Sequence, residues 1–388
     1  PKTAYEIASC LVGSEMCIRD RFLFSAAFLS AFLDALTVTA VLISVAIGFY
    51  RIFHTVKSNK AFSDLEHNYH NDELLENESL SELEEFKAFL RDLIMHGAVG
   101  TALGGVCTIV GEPQNLLIAG VVGWSFVEFF IAMAPITMPV LVAGICTCFI
   151  IERFKLAGFG NQLPLSIRSI FNDYDDYENS QQTDQQRAEL LVEFIVLIFL
   201  IIALALHLAA VGVIGLAVII LLTSFKGITD EHKLGDAFHE ALPFTALLAV
   251  FFAIVSVIHD QHLFSPVINY VLLQDPSIQP SVFFMANGIL SAISDNVFVA
   301  TIYINEINQA YLANTITREQ FEALAVAVNT GTNIPSIATP NGQAAFLFLL
   351  TSSLAPLINL SYLKMVKMAL PYTIILTIVG LYSITYLL

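Results

Sequence analysis

Apolar residues run along this chain in long unbroken stretches: 22 to 50, 97 to 123, 125 to 151, 190 to 224, 243 to 274, 281 to 304, 321 to 358 and 368 to 388. A bilayer crossing takes about 20 mostly apolar residues, so the pattern predicts membrane helices, with the longest stretches divided between two. Polar segments separate them, above all 51 to 93 and 152 to 189. Within 61 to 92, Leu80, Leu83, Phe86, Phe89 and Leu90 recur at helical spacing among acids. That spacing predicts an amphipathic helix, lying either on the membrane surface or against neighbouring helices.

Two stretches repeat. Ser30-Ala31-Phe32-Leu33-Asp34-Ala35-Leu36-Thr37-Val38 lines up with Ser291-Ala292-Ile293-Ser294-Asp295-Asn296-Val297-Phe298-Val299, which puts one aspartate inside an apolar run in each half. In the same order, Gly104-Gly105 leads to Gly111-Glu112-Pro113-Gln114-Asn115, and Gly331-Thr332-Asn333 leads to Ala338-Thr339-Pro340-Asn341-Gly342. The alignment expected from this pairs Gly104 with Gly331 and Pro113 with Pro340. Gly111, Pro113, Gly331, Pro340 and Gly342 mark helix breaks, and freed backbone is tolerated at membrane depth only beside protein or a water-filled cavity. Interrupted segments at corresponding places of two halves point to a transporter's binding site.

Charge then orients the chain. If 22 to 50 and 281 to 308 are re-entrant hairpins and 94 to 123 and 321 to 358 are single broken crossings, one side collects Arg51, Lys57, Lys60, Lys87, Arg91, Arg153, Lys155, Arg168, Arg187, Lys226, Lys233, Lys364 and Lys367. Only Arg318 falls on the other, so the first side is cytoplasmic by the positive-inside rule. The expected fold is an all-α membrane protein, an inverted-repeat secondary transporter with two re-entrant hairpins and two discontinuous transmembrane helices. The first repeat covers 22 to 151: hairpin 22 to 50, polar loop 51 to 93, broken helix 94 to 123, helix 125 to 151. A cytoplasmic linker spans 152 to 189. The second repeat covers 190 to 388: helices within 190 to 274, hairpin 281 to 308, broken helix 321 to 358, helix 368 to 388.

Composition agrees with the pattern: of 388 residues 56% are hydrophobic and 13% charged, and the mean hydropathy of +0.73 lies outside soluble chains. The formal charge of -17 reads as solvated loop acids, clustered between Asp64 and Asp92 and between Asp173 and Glu189, and not as a nucleic-acid or cationic docking surface. Five cysteines show no zinc or disulfide spacing, and no cofactor is expected. Residues 1 to 21 match neither a signal peptide nor a membrane segment. They read as a foreign leader resembling translated sequencing adaptor, on a chain truncated at its start.

An aspartate at membrane depth costs roughly 2.5 to 3.5 kcal/mol on insertion scales, so Asp34 and Asp295 are the leading candidate ligands. The competing reading is structural, since aspartate commonly caps helix starts. Carboxylates suit a hard cation such as sodium, and Thr37, Ser294, Asn296, Asn115, Thr339 and Asn341 offer further oxygens. One carboxylate holding either a proton or sodium couples the two fluxes, because desolvation raises its proton affinity toward neutral pH. Glu112 reads equally as a third titratable ligand or as a partner for the N-terminus of the following half-helix. His96, at the start of a crossing, is a weaker relay candidate. His207, His259, Asp260 and His262 read as interfacial, and Trp124 as an interfacial anchor.

The stretches Ala31 to Thr37, Gly100-Thr101-Ala102-Leu103-Gly104-Gly105, Gly111 to Leu116, Ser294 to Val299 and Asn329 to Phe346 resemble the NhaB-type bacterial sodium/proton antiporters of the ion-transporter superfamily, with the likeness running from about Phe22 to Leu388. The resemblance implies electrogenic export of sodium, with lithium as a second cargo, driven by proton entry in the bacterial inner membrane. In related dicarboxylate carriers the hairpin tips carry Ser-Asn-Thr-type motifs; Asp34 at the first tip favours a cation. Rival readings are sodium-coupled carboxylate or oxyanion transport, an intramembrane aspartyl protease, whose Gly-x-Gly-Asp context is missing around Asp34 and Asp295, and an inactive fragment or scaffold. No enzyme activity is expected, and oligomeric state is not legible.

Overall fold

The computed structural model describes residues 15–62, 77–228 and 265–388, with isolated positions between 229 and 264. His259, Asp260 and His262 lie outside the described residues. Among the described residues all regular structure is helical, as the long apolar runs require. Helix α1 (Glu15–Ser30) leads through a short irregular turn to α2 (Ala35–Lys57), then α3 (Asn77–Gly105), α4 (Pro113–Val122), α5 (Phe126–Arg153), α6 (Leu165–Gln181), α7 (Asp184–Ala205) and α8 (Val211–Phe225). Further on come α9 (Ser265–Leu272), α10 (Gln279–Ile293), α11 (Asn296–Leu312), α12 (Arg318–Asn333), two 3-10 turns (Pro335–Ala338 and Pro340–Gly342), α13 (Ala344–Thr351), α14 (Leu354–Leu357) and α15 (Tyr362–Tyr386). Among the described residues four helices, α2, α5, α7 and α15, are long and apolar enough to cross a membrane.

Several boundaries differ from the sequence expectation. The first helix pair reaches from Glu15 to Lys57, beyond the expected 22 to 50. The polar loop 51 to 93 is helical from Asn77 onward as the first half of α3. Its amphipathic stripe lies on protein and not along the membrane surface: Leu83, Phe86, Phe89 and Leu90 are buried, and the Phe86 ring packs 5.2 Å from Phe53 and 5.8 Å from Phe171. A stripe of large rings finds more contact against two neighbouring helices than in a headgroup layer. The segment 152 to 189 supplies one of those neighbours, since α6 buries Ile167, Ile170, Phe171 and Tyr174. His96 does not begin a crossing; it lies inside α3, fully buried. There its Nε2 is 2.7 Å from Glu152 Oε1 and its Nδ1 2.7 Å from the Tyr372 hydroxyl.

Contacts sort the helix ends into two groups. One joins Arg19 to Asn161 and Glu152, Lys57 to Glu82, Ser166 to Glu82 at 2.8 Å and Arg91 to the Ile358 carbonyl at 2.6 Å. The other joins Arg318 to the Val122 carbonyl at 2.8 Å, Gln320 to Gln279 at 2.6 Å and Ser281 to Thr385 at 2.8 Å. Both outer ends of the α1–α2 pair belong to the first group. Gln279, at the start of α10, belongs to the second, as does Arg318, six residues beyond the end of α11.

The candidate ion site at two paired helix breaks

Each aspartate sits where one helix stops and the next begins. Asp34 N-caps α2, its Oδ2 accepting from the Leu36 N–H at 3.0 Å and the Thr37 N–H at 3.3 Å. Asp295 N-caps α11 in the same way, its Oδ1 accepting from Val297 at 2.9 Å and Phe298 at 3.2 Å. The capping reading of both residues is therefore what the geometry displays. In each the other carboxylate oxygen takes no part in the cap, and each residue is half-buried.

Against each turn lies a broken helix. Between α3 and α4 the chain leaves helical geometry over 106 to 112. The Thr108 hydroxyl donates to the Ala31 carbonyl at 2.5 Å, and Ser30 to the Thr101 carbonyl at 2.8 Å. Between α12 and α13 the same donors recur: Thr339 to Ala292 at 2.6 Å, and Ser291 to Thr332 at 2.9 Å. These contacts equate Thr108 with Thr339 and Thr101 with Thr332. They correct the alignment read from the sequence by four residues: Gly111 corresponds to Gly342 and Gly100 to Gly331, in place of Pro113 with Pro340.

Close approach explains the glycines. A Cβ on Gly100 would stand 2.4 Å from the Leu23 carbonyl, and one on Gly331 2.7 Å from that of Phe284. On Gly111 it would meet the Gly105 carbonyl at 2.3 Å, and on Gly342 that of Ser336 at 2.4 Å. The corrected register pairs Glu112 with Gln343, each the extended residue that starts a half-helix, α4 and α13. Pro113 takes the first helical position of α4, where no N–H is needed.

Glu112 is buried, and its Oε1 has no hydrogen-bond partner. The amides of Asn296 and Gln114 face its carboxyl, and Asp34 and Asp295 both lie near enough to act on its charge. The three carboxyls do not converge on one point: among the described residues no group of three His, Cys, Asp or Glu is arranged to hold a metal ion. Amides link the halves instead. Gln114 Nε2 donates to Asn333 Oδ1 at 2.8 Å, and Asn296 Nδ2 approaches the same oxygen at 3.4 Å.

Other residues singled out from the sequence do different work. Asn115 closes the first break, its Nδ2 donating to the carbonyls of Gly105 at 2.7 Å and Thr108 at 2.6 Å. Thr339 ties the second turn to its break, and Ser294 ends α10 with its N–H on the Leu290 carbonyl at 2.9 Å. Thr37 and Asn341 are exposed, so neither side chain joins the buried cluster. His207 is exposed in a turn with φ 51°. Sequence reasoning missed Gln114, Asn333 and Gln343 as members of the site. Their signal was present as amides inside otherwise apolar runs.

Comparison with known proteins adds the decisive observation. The family model described as Bacterial Na+/H+ antiporter B (NhaB) matches residues 7–388. The chain belongs to this family. Relatives bearing the name Na(+)/H(+) antiporter NhaB include that of Saccharophagus degradans, 59% identical over 96% of this chain and 74% of the relative. Those of Shewanella denitrificans (60% identical, 96% of this chain, 70% of the relative) and Aeromonas hydrophila (56%, 100% and 71%) are similar. Membership covers both breaks, both capped turns and all three carboxyls, so the whole cluster lies within the family's shared span.

Proposed function

We infer that this chain exchanges sodium ions for protons across the bacterial inner membrane. The observation that carries the reading is a buried Glu112 flanked by the two capping aspartates at paired helix breaks. The segments 22 to 50, 97 to 123, 281 to 304 and 321 to 358 that build this region contain no Lys or Arg. An anion carrier would need basic groups or helix N-termini free of acid there, and three of the four helix N-termini here, those of α2, α11 and α4, carry Asp34, Asp295 and Glu112, with neutral Gln343 at the fourth, α13.

The chain works as an inverted repeat in which α1–α2 and α10–α11 are re-entrant hairpins entering from opposite faces. Support comes from the two groups of helix ends: the first hairpin begins and ends among the contacts that gather Arg19, Lys57 and Arg91, the cytoplasmic face by charge bias. The second hairpin sits with Arg318. Asp34 and Asp295 bind sodium or a proton in turn, and rocking of one bundle against the other exposes the cluster to each side alternately. Because a carboxylate holding a proton cannot hold sodium, transport of one drives the other.

The test is reconstitution of this chain in proteoliposomes with a trapped pH indicator. Sodium addition is expected to release protons. Uptake of labelled citrate or succinate without proton exchange would replace this reading with the carboxylate carrier.

A further inference from the structure

A buried polar cluster lies away from the ion site, where α1, α3, α5 and α15 meet at the face proposed as cytoplasmic. We propose that His96 is a proton sensor at that face: neutral, it ties α15 to α3 and permits exchange, and protonated, it releases Tyr372 and slows exchange. The proposal rests on the exchange reading above only for what is regulated.

His96 is fully buried on α3, the helix that ends at the first break. Its Nε2 lies 2.7 Å from Glu152 Oε1 of α5, and its Nδ1 2.7 Å from the Tyr372 hydroxyl of α15. Glu152 also pairs with Arg19 of α1, which keeps it a carboxylate that can only accept, so Nε2 carries the ring hydrogen. Nδ1 then faces two donors, the Tyr372 hydroxyl and the Cys148 thiol at 3.5 Å. The Phe159 ring stacks on the imidazole at 4.6 Å. One turn earlier on α3, Asp92 is a further titratable group of the cluster. The Asn161 backbone N–H donates to it at 2.9 Å and the Asn161 amide at 3.1 Å, and burial pushes its carboxyl up to about 7.

This arrangement satisfies a neutral ring at both nitrogens. A proton on Nδ1 turns that atom into a donor, so Tyr372 must swing its own hydrogen away and Cys148 loses its acceptor. Tyr372 directly follows Pro371, inside α15, where the helix lacks a backbone bond and bends most readily. Further along α15, a Cβ on Gly380 would stand 2.8 Å from the Phe284 ring of α10 and 3.6 Å from Ile334, beside the second break. From the sensor, α15 thus runs to the second break and α3 to the first. The register that pairs Gly100 with Gly331 puts Ala323 and Ala327 where Asp92 and His96 stand. The titratable pair is therefore an addition to one repeat and one face, as a sensor requires and a path shared by both repeats does not.

The test follows proton release by the whole chain in proteoliposomes at saturating sodium, with equal pH inside and outside. Neither competition at the carboxylates nor a pH gradient then sets the rate. The parent is expected to lose rate at least about fivefold from pH 8 to pH 6, across the range where histidine titrates. His96→Gln, whose amide can donate to Glu152 and accept from Tyr372 but takes up no proton, is expected to hold its pH 8 rate throughout. Tyr372→Phe removes the donor that favours the neutral ring and is expected to move the step to higher pH. A cluster that only holds helices together would lower stability in these variants and move no step. A parent without a step, or a His96→Gln step equal to the parent's, overturns the sensor. Should His96→Gln fail to fold, Tyr372→Phe decides, and an unmoved step overturns it. A parent that releases no protons at any pH ends the exchange reading alone. The ring is then read directly from carbon-13 histidine resonances in detergent: titration between pH 8 and pH 6 keeps the sensor, and a single protonation state overturns it.

Discussion

At the scale of single residues, Asp34 and Asp295 cap their helices, and substitution separates that role from the ion binding proposed for them. Asparagine caps a helix about as well as aspartate, whereas alanine at an N-cap costs about 1 kcal/mol. Asp34→Asn and Asp295→Asn are accordingly expected to melt near the parent while sodium-driven proton release falls at least about tenfold; Asp34→Ala should lose both. Parent-like exchange by both asparagine variants would confine these carboxylates to capping. Competition adds a pH signature. Where sodium and one proton contend for the same carboxylate, the sodium concentration for half-maximal exchange rises as pH falls, by up to about tenfold per unit. A sodium requirement flat between pH 6 and 8.5 would argue for separate sites. The aspartates were legible because acids in apolar runs are rare. Gln114 and Asn333 were not, since an amide beside a break reads equally as a backbone partner, and only the contact between them, across the two halves, tells the two apart.

At the scale of elements, apolar run length located the helices, and Gly, Pro and Asn located the breaks. The register between halves was misread because the two candidate alignments differ by four residues, about one helical turn, which leaves the same face in place. Gly104 with Gly331 and Pro113 with Pro340 look as good on paper as Gly100 with Gly331 and Gly111 with Gly342. Backbone approach decides between them: Gly100 meets Leu23 and Gly331 meets Phe284, positions set apart by the same interval as Asp34 and Asp295. Gly331→Ala and Gly100→Ala should each destabilise by about 1 to 3 kcal/mol through forced helix separation, read as a lowered melting temperature in detergent. Gly120, on α4 with nothing within 4 Å of an added Cβ, should accept alanine with no loss, because alanine is the better helix former by up to about 1 kcal/mol. Equal effects at all three positions would remove close approach as the reason for the first two glycines. The amphipathic start of α3 was seen as a helix from sequence, but its seat was open there, since the partner rings Phe53 and Phe171 lie in segments that spacing alone does not bring near.

At the scale of the whole molecule, opposed hairpins make a claim that neither residues nor helices make singly: chain ends that look alike must face different compartments. Lys60 follows α2 and Asn314 follows α11, and both are exposed. In the proposed inverted repeat they occupy matching places, just past the outgoing arm of each hairpin. Lys60 lies beside the Lys57–Glu82 pair and Asn314 beside Arg318, whose guanidinium holds the Val122 carbonyl. Charge bias puts the first cytoplasmic and the second periplasmic. Cysteine at either position can be probed in intact cells and in inverted vesicles with a membrane-impermeant maleimide. Cys107 and Cys148 are buried, Cys146 is exposed on α5, and Cys10 and Cys17 stand near the start of the sequence, so labelling of the otherwise unaltered chain is subtracted as background. Lys60→Cys is expected to label only in inverted vesicles and Asn314→Cys only in intact cells. Labelling of both from the same side would mean that one helix pair crosses the bilayer, in which case the two breaks would not lie in mirrored orientations and alternating exposure of Glu112 would need a different motion.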